Sequence, residues 1–179
     1  MKKGLIIAAA AMLCVAAAGG GLKMRAQAEE VELSCKAAYL MDEASGVQLY
    51  AKNEETRLPI ASMCKIMTLL LAFEAVGNGE LSYEEEITVS ERAAGMGGSQ
   101  VFLGAGLTYR ADELLKSIAV CSANDSCVAI AERVAGSEGA FCAEMNERAK
   151  KLGAENTLFA NCTGLPKEPQ YSCAKDVAL

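Results

Sequence analysis

Ser62 and Lys65 are the pair in this 179-residue sequence whose types and spacing suit covalent chemistry. The sequence contains no histidine, so a Ser-His-Asp or Cys-His relay cannot be assembled within it and a serine nucleophile needs another base. Lysine is the available candidate. Side chains three residues apart at the start of a helix share one face and come within reach of proton transfer. A lysine buried there loses hydration of its ammonium form, which favours the neutral amine that can act as a base. Unpaired N–H groups of the first helical turn, with the positive end of the helix dipole, favour negative charge developing at Ser62. Taken alone, S-x-x-K is a weak signal, better described as a capping serine followed by a solvated lysine.

A second motif, Ser122-Ala123-Asn124, lies some sixty residues downstream. Its hydroxyl can relay a proton to a leaving amine, and its amide can hydrogen-bond a substrate's peptide backbone. The competing reading is a capping loop, because Ser122, Asn124 and Asp125 all cap helices well. S-x-x-K together with S-D-N and K-T-G is the signature set of penicillin-binding proteins and β-lactamases; here the middle residue of the second motif is alanine.

These residues need elements to position them. Lys36 to Met41 and Val47 to Ala51 are β-compatible runs around Asp42-Glu43-Ala44-Ser45-Gly46, which predicts a hairpin. Pro59 then precedes a helix whose apolar positions Ile66, Leu69, Leu70 and Phe73 recur at helical spacing before Gly77-Asn78-Gly79 stops the run. Residues 81–106 combine an acidic cluster, a brief Ile87-Thr88-Val89 strand signal and several glycines, which suits an irregular surface-hugging segment. Three helices follow. Thr108 is expected to cap the first, with Ala111, Leu114, Leu115 and Ile118 facing inward. The second presents Cys127, Val128, Ala131 and Val134 and ends at Gly136, and the third runs from about Ala140 to Leu152 and ends at Gly153. Ser172 is expected to cap a last helix over Cys173 to Leu179, so that the sequence stops within an element and is a fragment of a longer protein.

The compartment is read from the first residues. Lys2 and Lys3 precede an uncharged apolar run from Gly4 to Ala18, and Ala26-Gln27-Ala28 has the small-x-small form of a signal-peptidase site, so residues 1–28 are expected to be a removed export signal. The run is too short for a membrane-spanning helix, and the residues ahead of Cys14 lack the small side chains of a lipid-attachment site. What remains, 29–179, is long enough for one domain with a real core. The chain carries a net charge of −6, and removing Lys2, Lys3, Lys23 and Arg25 makes it more acidic, which argues against nucleic-acid binding. Of the eight cysteines, an odd number follows the cleavage site and no Cys-x-x-Cys pair occurs, so at least one thiol stays free or pairs between chains, and several read as small buried apolar residues rather than as disulfides or zinc ligands.

Four segments in order resemble the low-molecular-mass serine D-alanyl-D-alanine carboxypeptidases of the penicillin-binding-protein family. They are Leu58 to Thr68 (LPIASMCKIMT), Gly98 to Leu103 (GSQVFL), Cys121 to Glu132 (CSANDSCVAIAE) and Phe159 to Pro166 (FANCTGLP). The resemblance implies an α/β domain of the serine β-lactamase and DD-peptidase type, with an antiparallel sheet, a helical region and the C-terminal strands missing. It implies that Ser62 attacks a cell-wall stem peptide, that Lys65 takes its proton and that Ser122 and Asn124 assist. It also implies that the backbone N–H of Ser62 forms half of an oxyanion hole and that β-lactam antibiotics acylate Ser62. No cofactor is implied. Location is extracytoplasmic, with membrane association through a C-terminal anchor beyond the given residues left open.

The sequence departs from the family in two places. Lys-Thr-Gly is absent, and Cys162-Thr163-Gly164 only mimics it, so the 179-residue chain by itself is expected to be inactive or poorly folded. Cys64 stands where threonine is common and is expected to point away from the face shared by Ser62 and Lys65. A β-lactamase lacks support, because no segment resembles a deacylating glutamate loop, and a non-catalytic wall-binding module is the rival from outside the enzymes.

Overall fold

The first element of the computed structural model, which describes residues 32–179, is the expected hairpin. Strand β1 (Ala38–Met41) pairs antiparallel with β2 (Gln48–Lys52), with a register shift at Leu40/Met41. The Asp42 carboxylate accepts hydrogen bonds from the Ser45 N–H and hydroxyl and so closes the turn. The expected signal segment, 1–28, lies outside the described residues; residues 35–179 form one unit.

A 3-10 turn (Ala61–Met63) leads directly into helix α1 (Cys64–Gly77). The helix is where the sequence placed it, but its buried face is not. Cys64, Lys65, Met67, Thr68, Leu71, Ala72 and Ala75 are buried, whereas Ile66 and Phe73 are 56% and 47% exposed. Hydropathy alone pointed to Ile66, Leu69, Leu70 and Phe73. The face that packs is the one carrying Lys65 and Thr68, because polar partners are waiting for it, and no periodicity scale can register that. The exposed side, with Met63, Ile66 and Leu70, borders a groove of about 320 Å³.

Segment 78–107 is largely irregular, as expected. It contains β3 (Glu86–Thr88) and a single-turn helix α2 (Glu91–Ala94), whose N-cap Ser90 accepts a bond from the Ala93 N–H. Strand β4 (Thr108–Arg110) pairs antiparallel with β3, with Ile87 opposite Tyr109. Thr108 is therefore a strand residue and not a cap. Helix α3 (Ala111–Cys121) follows without a side-chain cap, because carbonyls of the preceding segment take its first donors: Ala111 N–H donates to Glu85 O and Asp112 N–H to Tyr83 O. Its four expected core positions are all buried.

Helix α4 (Asn124–Ala135) runs through the core of the 35–179 unit. Residues Asn124 to Ala131 are buried without interruption, which means that more than two turns are covered on every side. Small side chains such as Ala129 and Ala131 let the neighbouring elements approach closely. Helix α5 (Glu138–Leu152), capped by Ser137, supplies Phe141 and Met145 to the same core. Both helices end at the expected glycines, Gly136 and Gly153.

The last helix, α6 (Ala174–Val177), is a single turn with Cys173 at its N-cap position. Ser172 does not cap it. The Ser172 N–H and C=O form an isolated bridge with Leu58, and its hydroxyl meets Thr157 Oγ1 at 2.7 Å. Tyr171 makes a second bridge with Leu158. The lead-in to the Ala61–Met63 turn is thus tied to the 158–165 segment through two consecutive residues. Among the described residues no helix is long and apolar enough to cross a membrane.

Candidate active site

Ser62 sits in the 3-10 turn and is exposed, while Lys65, in the first turn of α1, is only 4% exposed. Their spacing brings Lys65 Nζ to 3.3 Å from Ser62 Oγ. The shorter contact of the amine is with the backbone carbonyl of Thr163, at 2.7 Å. Lys65 is therefore held between a solvent-accessible hydroxyl and a buried carbonyl, and no carboxylate among the described residues forms an ion pair with it. Cys64 faces elsewhere: its Sγ donates to Asn161 O at 3.2 Å, and burial pushes the thiol up to about 12. At neutral pH it is a packed thiol and no rival nucleophile.

The carbonyl that receives Lys65 belongs to a segment without regular structure, 159–165, whose backbone groups are satisfied by side chains. Asn146 holds both the N–H and the C=O of Phe159, and Gln170 Oε1 accepts from the N–H groups of Ala160 and Asn161. Helix α1 supplies three further partners from one face: Cys64 to Asn161 O, Thr68 to Cys162 O at 2.7 Å, and Lys65 to Thr163 O. Asn161 Oδ1 accepts from the Thr163 and Gly164 N–H groups, and its Nδ2 donates to Leu165 O. Buried peptide groups require partners, and here a loop finds them without a ladder.

Gly164 closes the arrangement. Its φ is +83°, and a Cβ there would lie 1.9 Å from Ala61 O and 3.0 Å from Ser62 N. Only glycine lets the two backbones touch, so the loop packs directly on the peptide unit that precedes the serine.

The second motif lies between α3 and α4. Ser122 is left-handed (φ 57°) at the C-cap of α3, and its buried Oγ has no hydrogen-bond partner among the described residues. Asn124 opens α4 and is nearly buried; its Nδ2 donates to Gly97 O at 2.7 Å and its N–H to Ser99 O at 2.7 Å. Gly98 lies against that amide, and a Cβ on it would come within 2.9 Å of Asn124 Nδ2. Asp125, fully buried, accepts from the N–H groups of Val101, Leu103 and Ser126. The 97–103 segment is thereby fastened to the start of α4, with Phe102, at φ 61° and 80% exposed, standing out between the two clamped amides.

Of the residues singled out in the sequence, Ser62 and Lys65 are directly joined, and Asn124 is joined to the 97–99 segment. Asn161 and Thr163 were missed as site residues. Phe159 to Pro166 entered as a segment resembling the family, and Cys162-Thr163-Gly164 as an imitation of Lys-Thr-Gly, with no role given to Asn161 or Thr163. The usable signal was an asparagine followed three residues later by glycine, a pattern that suits a side-chain-built turn.

Comparison with known proteins adds four findings. A family model described as D-alanyl-D-alanine carboxypeptidase, peptidase S11, matches residues 23–179. The D-alanyl-D-alanine carboxypeptidase DacF of Bacillus subtilis is 47% identical over 150 residues, covering 84% of this chain and 39% of the Bacillus protein. Among solved structures, the D-alanyl-D-alanine carboxypeptidase DacD of Francisella tularensis superposes with a TM-score of 0.82 at 38% identity, over 84% of this chain and 36% of that one. Penicillin-binding protein D2 of Listeria monocytogenes, in its ampicillin-bound form, superposes at 0.74 with 31% identity, over 84% and 61%. The chain thus spans about two fifths of the DacF relative.

Proposed function

The chain belongs to the D-alanyl-D-alanine carboxypeptidase family, and from that membership we propose that Ser62 is the acyl-accepting nucleophile of a serine carboxypeptidase that trims the terminal D-alanine from peptidoglycan stem peptides. Ser62 Oγ attacks the carbonyl carbon of the penultimate D-alanine as Lys65, in its free-amine form, takes the hydroxyl proton. The backbone N–H of Ser62 donates to the developing oxyanion. Collapse of the tetrahedral intermediate breaks the C–N bond, the departing D-alanine nitrogen receives a proton through Lys65 and Ser122, and water then releases the shortened peptide. Asn124 orients the substrate backbone. A β-lactam ring opens on the same oxygen and stays as a stable acyl group, in keeping with the ampicillin-bound form of the Listeria relative.

The observation that carries this reading is the amine of Lys65 within 3.3 Å of an exposed serine hydroxyl and fixed from behind by Thr163 O. The unpartnered Ser122 hydroxyl supports it, since a buried hydroxyl without a partner has one to gain from a bound substrate. The proposed setting is the bacterial cell envelope, reached through the amino-terminal segment 1–28.

The test uses the product of the complete reading frame. Exposure to benzylpenicillin should add one acyl group, mapped to Ser62 by peptide mass, and Ser62→Ala should abolish it. Lys65→Met should slow acylation and D-alanine release from a peptide ending in D-Ala-D-Ala by about 10²–10⁴-fold. Full-speed acylation in Lys65→Met overturns the proposal, and rapid turnover of penicillin in place of a stable adduct assigns the site to β-lactam hydrolysis.

A further inference from the structure

We infer that Asn161 is a positioning residue for Lys65: its buried carboxamide sets the direction of the Thr163 carbonyl and through it the amine that faces Ser62. The inference rests on the acyl-transfer reading above and extends it to a residue 96 positions beyond Lys65, in the loop behind the site. Asn161 is 6% exposed and points into its own turn. Its Oδ1 accepts from Thr163 N–H at 3.1 Å, from Thr163 Oγ1 at 3.3 Å and from Gly164 N–H at 2.7 Å, while its Nδ2 donates to Leu165 O at 2.7 Å. The peptide unit between Thr163 and Gly164 therefore has its N–H fixed by Asn161 at one end. The carbonyl at its other end is the 2.7 Å acceptor for Lys65 Nζ. A peptide unit is planar, so fixing the N–H fixes the carbonyl direction.

The consequence for the amine is geometric. A neutral amine has two N–H bonds and one lone pair. When one N–H is committed to Thr163 O, the rotation of the remaining group about Cε–Nζ is restricted, and the lone pair can be kept toward Ser62 Oγ. A free amine at the end of a four-carbon chain would otherwise sample several orientations, most of them unproductive. Among the described contacts the Asn161 carboxamide has no bond to Ser62, Ser122 or Asn124; it reaches the amine through the peptide unit between Thr163 and Gly164.

The neighbouring Asn146 gives a matched control. It too is an asparagine whose carboxamide holds this segment, through the Phe159 N–H and C=O, but at the end remote from Lys65. Both Asn161→Ala and Asn146→Ala should lower the thermal midpoint. Only Asn161→Ala should reduce the first-order acylation constant for a β-lactam, by about 10–100-fold, with the preceding dissociation constant within threefold of the parent. Asn161→Asp, which keeps the acceptor oxygen for Thr163 and Gly164, should recover part of that loss. Amide exchange at Thr163 and Gly164, read by NMR or fragment mass, should accelerate in Asn161→Ala and not in Asn146→Ala. Equal acylation constants for parent and Asn161→Ala overturn the inference, as does an equal loss in both alanine variants. Failure of the unsubstituted protein to be acylated is a different result: it removes the functional reading itself, and this inference with it.

Discussion

Replacing Gly164 by alanine tests how closely the loop must approach the serine. The added Cβ would lie 1.9 Å from Ala61 O and 2.4 Å from Ala61 C, so one backbone has to retreat by about 1 Å before the contact is tolerable. The same substitution forces an L side chain to φ +83°, which costs roughly 1–2 kcal/mol by itself. Gly153 separates the two effects, because its φ is +82° and a Cβ there meets nothing within 4 Å. Gly153→Ala should therefore lose only the conformational part, roughly 1–2 kcal/mol, and keep normal acylation. Gly164→Ala should lose about 3 kcal/mol, lowering the midpoint of a far-UV circular dichroism melt by roughly 6–12 °C, because overpacking adds to the backbone strain. Displacing Ala61 also displaces Ser62, and a shift of about 1 Å at a reacting group costs on the order of 10²-fold in rate. Acylation by benzylpenicillin, followed by intact mass, reads that loss. If the two alanine variants melt together and acylate at the same speed, the direct backbone contact between the loop and the nucleophile turn is wrong.

Three further outcomes follow from the buried polar groups and thiols. Asp125→Asn replaces a fully buried carboxylate that accepts from three N–H groups with an amide that can offer them only one acceptor oxygen; the loss should be about 3 kcal/mol, with faster amide exchange at Val101 and Leu103, and a melt unchanged within 2 °C would contradict it. Burial pushes the Cys64 and Cys127 thiols up to about 12 from an ordinary 9.0, so the folded state keeps protons that the unfolded chain sheds. Their stabilising contribution is whole below about pH 9 and is lost as pH rises toward the folded value, so denaturant midpoints should fall between pH 9 and 10.5; a rise over that interval would refute the assignment. Iodoacetamide on the native protein at pH 8 should modify Cys35 and Cys121, which are exposed, and spare Cys64, Cys127, Cys142, Cys162 and Cys173 until denaturant is added; early alkylation of Cys64 would show that the core around α1 is not closed.

What the sequence determined was local. Ser62 and Lys65 needed only helical spacing to meet, and the inward faces of α3 and the ends of α4 and α5 were legible because hydropathy repeats and terminal glycines act within a few residues of chain. The hairpin was legible for the same reason. What failed were two cap assignments, each undone by a distant partner. Thr108 and Ser172 have the chemistry of caps, yet strand pairing with β3 claimed one and a bridge to Leu58 claimed the other.

Only the tertiary structure decided which side of α1 is buried and what stands behind the lysine. Ile66 and Phe73 are the more apolar residues, but Cys64, Lys65 and Thr68 go inward because the carbonyls of Asn161, Thr163 and Cys162 meet them there. A buried amine or hydroxyl is tolerable when its partner is fixed in place, and such a partner, 98 residues away for Lys65, leaves no trace in local periodicity. The reactive pair was written in four consecutive residues, while the loop that orients it exists only once the chain has folded.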